Sequence, residues 1–294
     1  MNILITGING FVGRSLQRAL EDKGYRVSGI DVRSNDSCVH ACDITDQAAV
    51  MRCFEELAPD FIFHLAAISR VDYTNPTLLY SINVTGTLNC LTAACRLKKK
   101  PQFLLVSSAQ VYGIVDDSSQ PISEQTPSRP VNHYGASKAS AENLAQVFHH
   151  EYDLPVSIVR PFNHIGRGQD PHFVIPKIMK SIRDKNSSIQ LGNLSVIRDF
   201  LDVRDVVDAY IRIMEHFNNG SVYNIASGTG CRLSDIVALI QEVAHVQLNI
   251  QRIDSLLRKN EIVKSIGDSS AFKKDYNWQP RYSIRESLEW ILSE

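Results

Sequence analysis

The first half of the chain alternates short apolar runs with longer segments in which apolar residues recur at helical spacing. Strands are predicted at residues 2–5, 26–30, 39–42, 60–64, 102–107 and 156–159, and helices at residues 10–23, 46–57, 77–98 and 134–152. Regular alternation of strand and helix is typical of a parallel sheet covered by helices. The pattern therefore predicts an α/β fold with a doubly wound parallel sheet.

The pattern changes after Pro161, where shorter helices and isolated strands are separated by loops. We therefore expect one large domain and a smaller C-terminal α/β lobe. The predicted bounds are residues 1–165 with 195–225 for the first, and residues 166–194 with 226–294 for the second. Ser283 and Glu286 have the spacing of a capping box, which predicts that the last helix begins there.

Composition and charge exclude several classes of protein. With 294 residues, 44% of them hydrophobic, the chain can bury a sizeable core. Its net charge of -1 gives no electrostatic reason to expect nucleic acid or an anionic membrane as a partner. No apolar run approaches the ~20 residues that span a bilayer, and Met1 leads into a glycine motif rather than a signal peptide. We expect a cytoplasmic protein.

The cysteines, at positions 38, 42, 53, 90, 95 and 231, lie mostly in apolar or helical segments. In a reducing cytosol we expect them to be free thiols. Cys38, His40 and Cys42 are potential metal ligands, but a zinc site normally needs a fourth ligand or an open catalytic position. Because the same residues form a predicted strand, we predict no metal site.

A glycine motif directly follows the first strand and opens the first helix. In such a motif Gly7 permits a tight turn, Gly10 lets a ligand approach the backbone, and Gly13 lets the helix pack closely on the sheet. The amides at the start of the helix then face a phosphate group. The motif predicts that a dinucleotide binds to a Rossmann domain.

An acidic residue follows the second strand, about 20 residues beyond this motif. The Asp31 carboxylate is placed to accept hydrogen bonds from the adenosine ribose and to repel a 2′-phosphate, which favours NAD over NADP. Arg33 can soften that preference, and Asp31 is also compatible with a simple turn. Asp43 and Ile44, after the third strand, are candidates for contacts with adenine or for a strand-end turn.

Tyr134 and Lys138 are four residues apart and therefore lie on one face of the predicted helix. A neighbouring ammonium is expected to lower the pKa of the phenol. Ser108 follows a predicted strand and can hydrogen-bond the same substrate oxygen as the tyrosine, whereas Ser107 is expected to pack beneath the sheet edge. The G-x-S-x-G motif of many hydrolases is not present around Ser108.

Together, the segments TGINGFVG, HLAA, NVTGT, SSAQVYG, YGASK and RPFNHIGRGQ resemble the extended short-chain dehydrogenases/reductases that modify nucleotide sugars, and the likeness covers nearly the whole chain. The resemblance implies catalysis by Ser108, Tyr134 and Lys138, a structural role for Asn83, and a homodimer formed through helices 77–98 and 134–152. The cofactor contacts that it implies include Asn9, Phe11, Val12, Leu65, Ala66, Ala67, Pro161, Tyr134 and Lys138.

The resemblance also implies where a nucleotide-diphosphate sugar binds. Asn163, Arg198 and Arg258 match residues that contact the diphosphate, for which guanidinium groups are well suited. The other implied substrate contacts are Ser69, Ser108, Val174, Lys177, Asn193 and Glu261. Each charged residue, taken alone, is equally compatible with a solvated surface group, and His164 with a hydrogen-bonded loop histidine.

Three reactions are possible with this set of residues. Dehydration requires an acid and a base after the catalytic serine, where this chain has Ala109 and Gln110. The segments around residues 162–174 and 192–205 are especially similar to those of GDP-4-keto-6-deoxy-D-mannose reductases, with dTDP-sugar 4-ketoreductases close behind. We therefore predict an NAD(P)-dependent 4-ketoreductase. An NAD-dependent 4-epimerase is the main alternative, and a cofactor-binding regulator without turnover is another.

Overall fold

A computed structural model describes residues 1–34, 36–253 and 260–293. Within these residues, seven strands form the main sheet: β1 (Asn2–Thr6), β2 (Arg26–Asp31), β3 (Val39–Ala41), β4 (Phe61–His64), β5 (Gln102–Val106), β6 (Val156–Pro161) and β10 (Val222–Ile225). Their spatial order is β3-β2-β1-β4-β5-β6-β10, and the pairs from β3 to β6 are parallel. The predicted α/β fold with a doubly wound sheet is confirmed.

The helices of the described residues are α1 (Phe11–Asp22), α2 (Gln47–Leu57), α3 (Pro76–Tyr80), α4 (Thr87–Arg96), α5 (His133–Tyr152), α6 (Val174–Arg183), α7 (Val203–Glu215), α8 (Leu233–Ala244), α9 (Ser270–Tyr276) and α10 (Ile284–Leu292). Polar side chains cap several of them, as N-terminal amides require. Asp46 accepts hydrogen bonds at the start of α2, and Asn132 does so at the start of α5. The predicted capping box of Ser283 and Glu286 is confirmed at α10.

One predicted helix differs from the structure. Residues 77–98 were expected to form a single α-helix, but a π-helical turn at Ser81–Gly86 separates α3 from α4. The helix also ends at Arg96, because Leu97 is already extended, with φ -65° and ψ 146°. Single π turns inside helices are frequent at functional sites.

The chain divides into two compact units. The first comprises Met1–Gly113, Pro127–Pro161 and Val207–Tyr223, and the second comprises Ile114–Thr126, Phe162–Val206 and Asn224–Glu294. Residues 114–126 and 195–206 thus group with the second unit, whereas the sequence pattern placed them with the first. Cofactor binding by the first unit and substrate binding by the second remain predictions.

The core of the first unit lies around the main sheet. All four residues of β4, Phe61 to His64, are buried, as expected for a central parallel strand covered on both faces. The neighbouring strands contribute Leu4, Phe103 and Ile158 to the same core. The polar ends of these strands are thereby placed along one edge of a rigid sheet.

The second unit has smaller sheets. Its described strands are β7 (Asn163–Ile165), β8 (Ser188–Leu191), β9 (Ile197–Asp202), β11 (Gly230–Arg232), β12 (Asn249–Arg252) and β13 (Lys264–Ser265). Strand β9 pairs with β7, β11 and β13, and β8 pairs with β12. No helix in the described part of the chain is long and apolar enough to cross a membrane.

A buried histidine joins β1, β4 and α4 in the first unit. The Thr87 hydroxyl donates to the Asn83 carbonyl at 2.7 Å, so it must accept from Nε2 of His64 at 2.9 Å. Nδ1 of His64 then accepts from the Thr6 hydroxyl at 2.8 Å, and the Thr6 oxygen accepts from the Ala66 amide. With a neutral imidazole, this chain of hydrogen bonds runs in one direction from the Ala66 amide to the Asn83 carbonyl.

Burial, together with the charge of Lys138, lowers the pKa of His64 to about 3. Between this value and the ordinary pKa near 6.5, the unfolded chain binds a proton that the folded chain does not. We expect His64 to lower the free energy of unfolding by about 2 kcal/mol between pH 7 and pH 5. Urea unfolding of wild type and His64→Gln at both pH values measures this contribution. The exposed His150→Gln serves as the control, and an equal pH effect in all three proteins contradicts the prediction.

Candidate active site

The glycine motif forms the turn between β1 and α1. Gly7 has φ +72°, and a Cβ there would lie 2.8 Å from Cα of Ala66, so this turn packs directly on the segment after β4. A Cβ on Gly13 would lie 2.4 Å from the Gly7 carbonyl oxygen. Both positions therefore need glycine for the backbone to close on itself. The turn lies where the strand order reverses between β1 and β4, which is where doubly wound sheets bind ligands.

The start of α1 suits an anionic ligand. No side chain caps this helix, and its first turn has no acidic residue. A Cβ on Gly10 would approach only the Gly7 carbonyl oxygen, at 3.0 Å, so the surface in front of Gly10 is open. Since the helix N-terminus carries a partial positive charge, these features fit the pyrophosphate of a nicotinamide dinucleotide. Phe11 and Val12 lie in the same first turn, half-buried.

Asp31 lies at the end of β2, next to the glycine turn. One oxygen of its carboxylate accepts from the Asn9 amide at 3.1 Å, and the other accepts from the Val32 amide at 2.8 Å. Asn9 in turn donates from Nδ2 to the Arg33 carbonyl at 2.8 Å. The carboxylate is thus fixed beside the predicted phosphate site, with the exposed Arg33 side chain nearby.

Asp43 follows β3, and its side chain closes a turn with Thr45. Its Oδ1 accepts from the Thr45 amide at 2.9 Å and from the Thr45 hydroxyl at 2.8 Å. Ile44 is buried, and Gly86 packs directly against its side chain. The geometry is that of the strand-end turn considered above, and a contact of these two residues with adenine remains a prediction.

The three predicted catalytic residues meet at the end of β5. Ser108 lies close enough to the Tyr134 phenol to lower its pKa, and Nζ of Lys138 donates to the Val106 carbonyl at 2.9 Å. Asn132 fixes the start of α5, because its side chain accepts from the Gly135 amide at 2.8 Å. All three of these side chains are buried in the first unit.

The expected pKa shift of the phenol is wrong in direction. Burial raises the pKa of Tyr134 above its ordinary value, while the hydrogen bond with Ser108 opposes that shift. Spacing along the helix predicted the neighbouring ammonium but not the loss of solvent around the phenol, which disfavours its charged form. Burial also lowers the pKa of Lys138 to about 8, although the nearby Glu142 opposes this shift. The phenol is therefore protonated at neutral pH.

Asn83 lies in the π-helical turn and connects two parts of the site. Its Oδ1 accepts from the Ile68 amide at 2.8 Å, and its Nδ2 donates to the Ser137 hydroxyl oxygen at 3.0 Å. Ser137 donates to the Tyr134 carbonyl at 2.8 Å. The loop after β4, which contains the half-buried Leu65, Ala66 and Ala67 and the exposed Ser69, is thereby linked to the first turn of α5.

The second unit contains most of the predicted substrate residues. Asn163 is exposed at the start of β7, next to the buried Pro161 of β6 in the chain. Lys177 on α6 donates from Nζ to the Gln190 carbonyl at 2.7 Å. Val174 and Glu261 are half-buried. Arg258 lies outside the described residues.

Two further residues that were predicted to bind the substrate form hydrogen bonds with neighbouring residues of the chain. The side-chain oxygen of Asn193 accepts from the Ser195 amide at 3.0 Å, and Arg198 donates to the Ile197 carbonyl at 2.9 Å. His164 is hydrogen-bonded through Nδ1 to the Phe162 carbonyl at 3.0 Å, and burial lowers its pKa. It lies on β7 rather than in a loop. Among the described residues, no group of three His, Cys, Asp or Glu side chains is arranged to hold a metal ion.

Comparison with known proteins identifies the family. Residues 3–226 match the NAD dependent epimerase/dehydratase family. This chain belongs to that family. It is 33% identical to GDP-6-deoxy-D-mannose reductase of Pseudomonas aeruginosa, over 99% of this chain and 96% of the relative. It is 34% identical to GDP-6-deoxy-D-talose 4-dehydrogenase of Aggregatibacter actinomycetemcomitans, over 98% and 96% of the two chains.

Solved structures of other family members have the same fold. RMD from Pseudomonas aeruginosa complexed with NADPH superposes with a TM-score of 0.89 at 32% identity, covering 99% of this chain and 97% of that one. UDP-glucose 4-epimerase from Thermotoga maritima with UDP-glucose gives a TM-score of 0.92 at 27% identity, covering 100% and 98%. Family membership and the similarity to these complexes confirm an NAD(P)-dependent enzyme of the oxidoreductase type. The preference for NAD over NADP remains a prediction.

Sequence reasoning missed two charged residues of this family member. Glu142 on α5 and Arg160 on β6 form a buried ion pair, with 2.7 Å between Nη2 and Oε2. Glu142 is four residues after Lys138, a spacing that indicates a shared helix face. The ion-pair partner of Glu142 could not be identified from the sequence alone, because only the folded chain brings Arg160 close to it. The role of Gln110 was also missed: its Oε1 accepts from Nδ2 of Asn132, the cap of α5, at 3.0 Å.

We expect the same substitution to have different effects at Gly10 and at Gly13, the two glycines at the start of α1. Gly10→Ala should lower the melting temperature less than Gly13→Ala, because its Cβ meets only the Gly7 carbonyl oxygen, at 3.0 Å. It should weaken dinucleotide binding roughly tenfold or more, because the methyl group occupies the open surface. Gly13→Ala should lower the melting temperature by several degrees, because its Cβ collides with the backbone. Thermal unfolding and fluorescence titration with NADH and NADPH measure both effects. Unchanged binding by Gly10→Ala contradicts the proposed phosphate site.

Proposed function

We propose that this chain reduces the C4 keto group of a nucleotide-diphospho-4-keto-6-deoxyhexose. The single observation that carries the proposal is a buried phenol, Tyr134, that lies near Ser108 and one helical turn from Lys138. Reduction of a ketone requires a proton donor at the oxygen, and a phenol whose pKa is raised remains protonated until the reaction needs the proton. The names of two similar relatives, a GDP-6-deoxy-D-mannose reductase and a GDP-6-deoxy-D-talose 4-dehydrogenase, favour a GDP-linked 6-deoxyhexose.

The chain's own groups supply the rest of the chemistry. A reduced nicotinamide dinucleotide, when bound, supplies the hydride that reduces C4. Ser108 donates a hydrogen bond to the C4 oxygen and holds it in position, and Tyr134 transfers its proton to that oxygen, which becomes the hydroxyl of the product. The Lys138 ammonium stabilises the phenolate that remains. Solvent returns the proton to Tyr134 afterwards.

The residues after Ser108 argue against dehydration. Loss of water from the sugar needs an acid and a base in addition to the tyrosine, but Ala109 has no ionisable group. The Gln110 carboxamide does not transfer protons at neutral pH, and it is bonded to Asn132. We therefore do not assign dehydration, although dTDP-glucose 4,6-dehydratases are among the relatives.

A 4-epimerase is the second candidate. The fixed Asp31 carboxylate favours NAD, and an epimerase uses a dinucleotide that stays bound and is regenerated in each turnover. A UDP-glucose 4-epimerase and probable UDP-arabinose 4-epimerases are among the similar proteins. The same Tyr134, Ser108 and Lys138 serve both reactions, because epimerisation begins with proton removal from the C4 hydroxyl and ends with its return.

Incubation with a panel of substrates distinguishes the two reactions. The panel contains GDP- and dTDP-linked 4-keto-6-deoxyhexoses and unmodified UDP-hexoses, with NADH or NADPH added. A reductase consumes the added reduced nicotinamide stoichiometrically with the 4-keto sugar, which we expect. Interconversion of UDP-hexoses without net consumption would instead establish an epimerase. Mass spectrometry of the product, with a gain of two hydrogens, provides an independent measurement.

Tyr134→Phe tests the assigned proton donor. We expect kcat to fall about 100-fold or more, because the proton has no other donor at the C4 oxygen. The affinity for the dinucleotide should stay within about twofold of wild type, since the phosphate and ribose contacts are unchanged. Tyr152→Phe, the same change at an exposed position of α5, is the matched control. Near-normal turnover by Tyr134→Phe would remove this residue from the chemistry.

A further inference from the structure

The end of β5 contacts α5 through three consecutive residues. These residues are the last residue of the strand and the two that follow it. They reach three successive turns of the helix, through one carbonyl and two side chains. The pairs are Val106 with Lys138, Ser107 with Glu142, and Ser108 with Tyr134. Ser107 was expected only to pack beneath the sheet edge. Its hydroxyl in fact donates a hydrogen bond to the Glu142 carboxylate.

The Glu142 carboxylate is deeply buried, and both of its oxygens accept hydrogen bonds. Arg160 donates to it from Nη2 at 2.7 Å and from Nε at 3.0 Å, and the exposed fractions of the two residues are only 4% and 8%. The same guanidinium donates from Nη1 to the Tyr112 hydroxyl at 3.0 Å. Two charges in the interior lose much of their hydration, and buried ion pairs are often no more stabilising than apolar residues. Stability alone therefore does not explain why this pair lies under the catalytic helix.

We propose that Glu142, oriented by Arg160, is a positioning residue of the active site. Through Ser107 it fixes the end of β5 against α5, and therefore the position of Ser108 relative to Tyr134. Through its charge, four residues along the same helix, it keeps Lys138 in the ammonium form. The kinetic part of this inference rests on the proposed reductase function, whereas the electrostatic part does not.

The charges around Lys138 determine what removal of Glu142 would do. His64 faces it from β4 and is neutral, Tyr134 lies on α5 and is protonated, and Arg160 on β6 is paired with Glu142 itself. Burial favours the neutral amine, and the Glu142 carboxylate opposes this effect. Without that carboxylate, the ammonium of Lys138 should be lost at a lower pH.

NMR titration of Lys138 tests the electrostatic role without any substrate. Protein labelled with ¹³C at lysine Cε is titrated, and Lys138 is assigned from the resonance missing in Lys138→Met. We expect the midpoint to fall by about one pH unit in Glu142→Gln. The double variant Glu142→Gln/Arg160→Met removes both charges of the ion pair, so Arg160 is not left unpaired. It should show a shift in the same direction, and it carries the test if the single variant does not fold.

Glu151→Gln, the same change at an exposed position of α5, is the matched control and should leave the Lys138 midpoint unchanged. An unshifted Lys138 in a folded Glu142 variant overturns the electrostatic role, whatever the enzyme's substrate proves to be. A protein that reduces no 4-keto sugar, but in which Lys138 shifts as expected, would contradict the proposed function and uphold this inference.

Ser107→Ala tests the positioning role separately, because it retains both charges. We expect kcat to fall about tenfold with KM within about twofold of wild type, since the position of Ser108 matters in the transition state more than in binding. The alkaline limb of its kcat profile should stay at the wild-type pH, whereas that limb should move to lower pH in Glu142→Gln. Wild-type kcat in Ser107→Ala would overturn the positioning role.

Discussion

Burial of an ammonium beside a phenol is the constraint on which the rest of this site depends. Lys138 has lost most of its hydration, and burial favours its neutral form. The Val106 carbonyl and the Glu142 carboxylate provide that compensation, one from the strand and one from the helix. Both groups lie at the interface between β5 and α5. The protonation of Lys138 therefore depends on how these two elements are aligned.

The same interface bears on the direction of proton transfer in the proposed reduction. A phenol in this dry position keeps its proton, so the resting site is prepared to give a proton rather than to take one. Charge develops on Tyr134 only as the proton leaves, and the Lys138 ammonium, one turn along α5, can then stabilise it. A reductase needs this order of events. An epimerase starts from the opposite protonation state, and it must lower the pKa of the same phenol before its first step.

Much of the fold could be predicted because its signals are local. The strand, the glycine turn and α1 are adjacent in sequence, and the spacing of Tyr134 and Lys138 defines a helix face without further information. The ion pair of Glu142 and Arg160 could not be predicted, because only the packing of α5 on β6 brings the two charges together. The pKa of Tyr134 was mispredicted for a related reason, since hydration depends on tertiary structure.

Local patterns also fail to select the reaction, and the structure shows why. Tyr134, Ser108 and Lys138 provide acid, base and orientation for reduction, epimerisation and dehydration alike, so their presence identifies the family but not the reaction. The difference lies in groups that this chain lacks or uses otherwise. Ala109 has no acid, and the carboxamide of Gln110 stabilises the cap of α5 through Asn132. Because Gln110 already holds the helix start, it supports the proposed chemistry at C4 over dehydration.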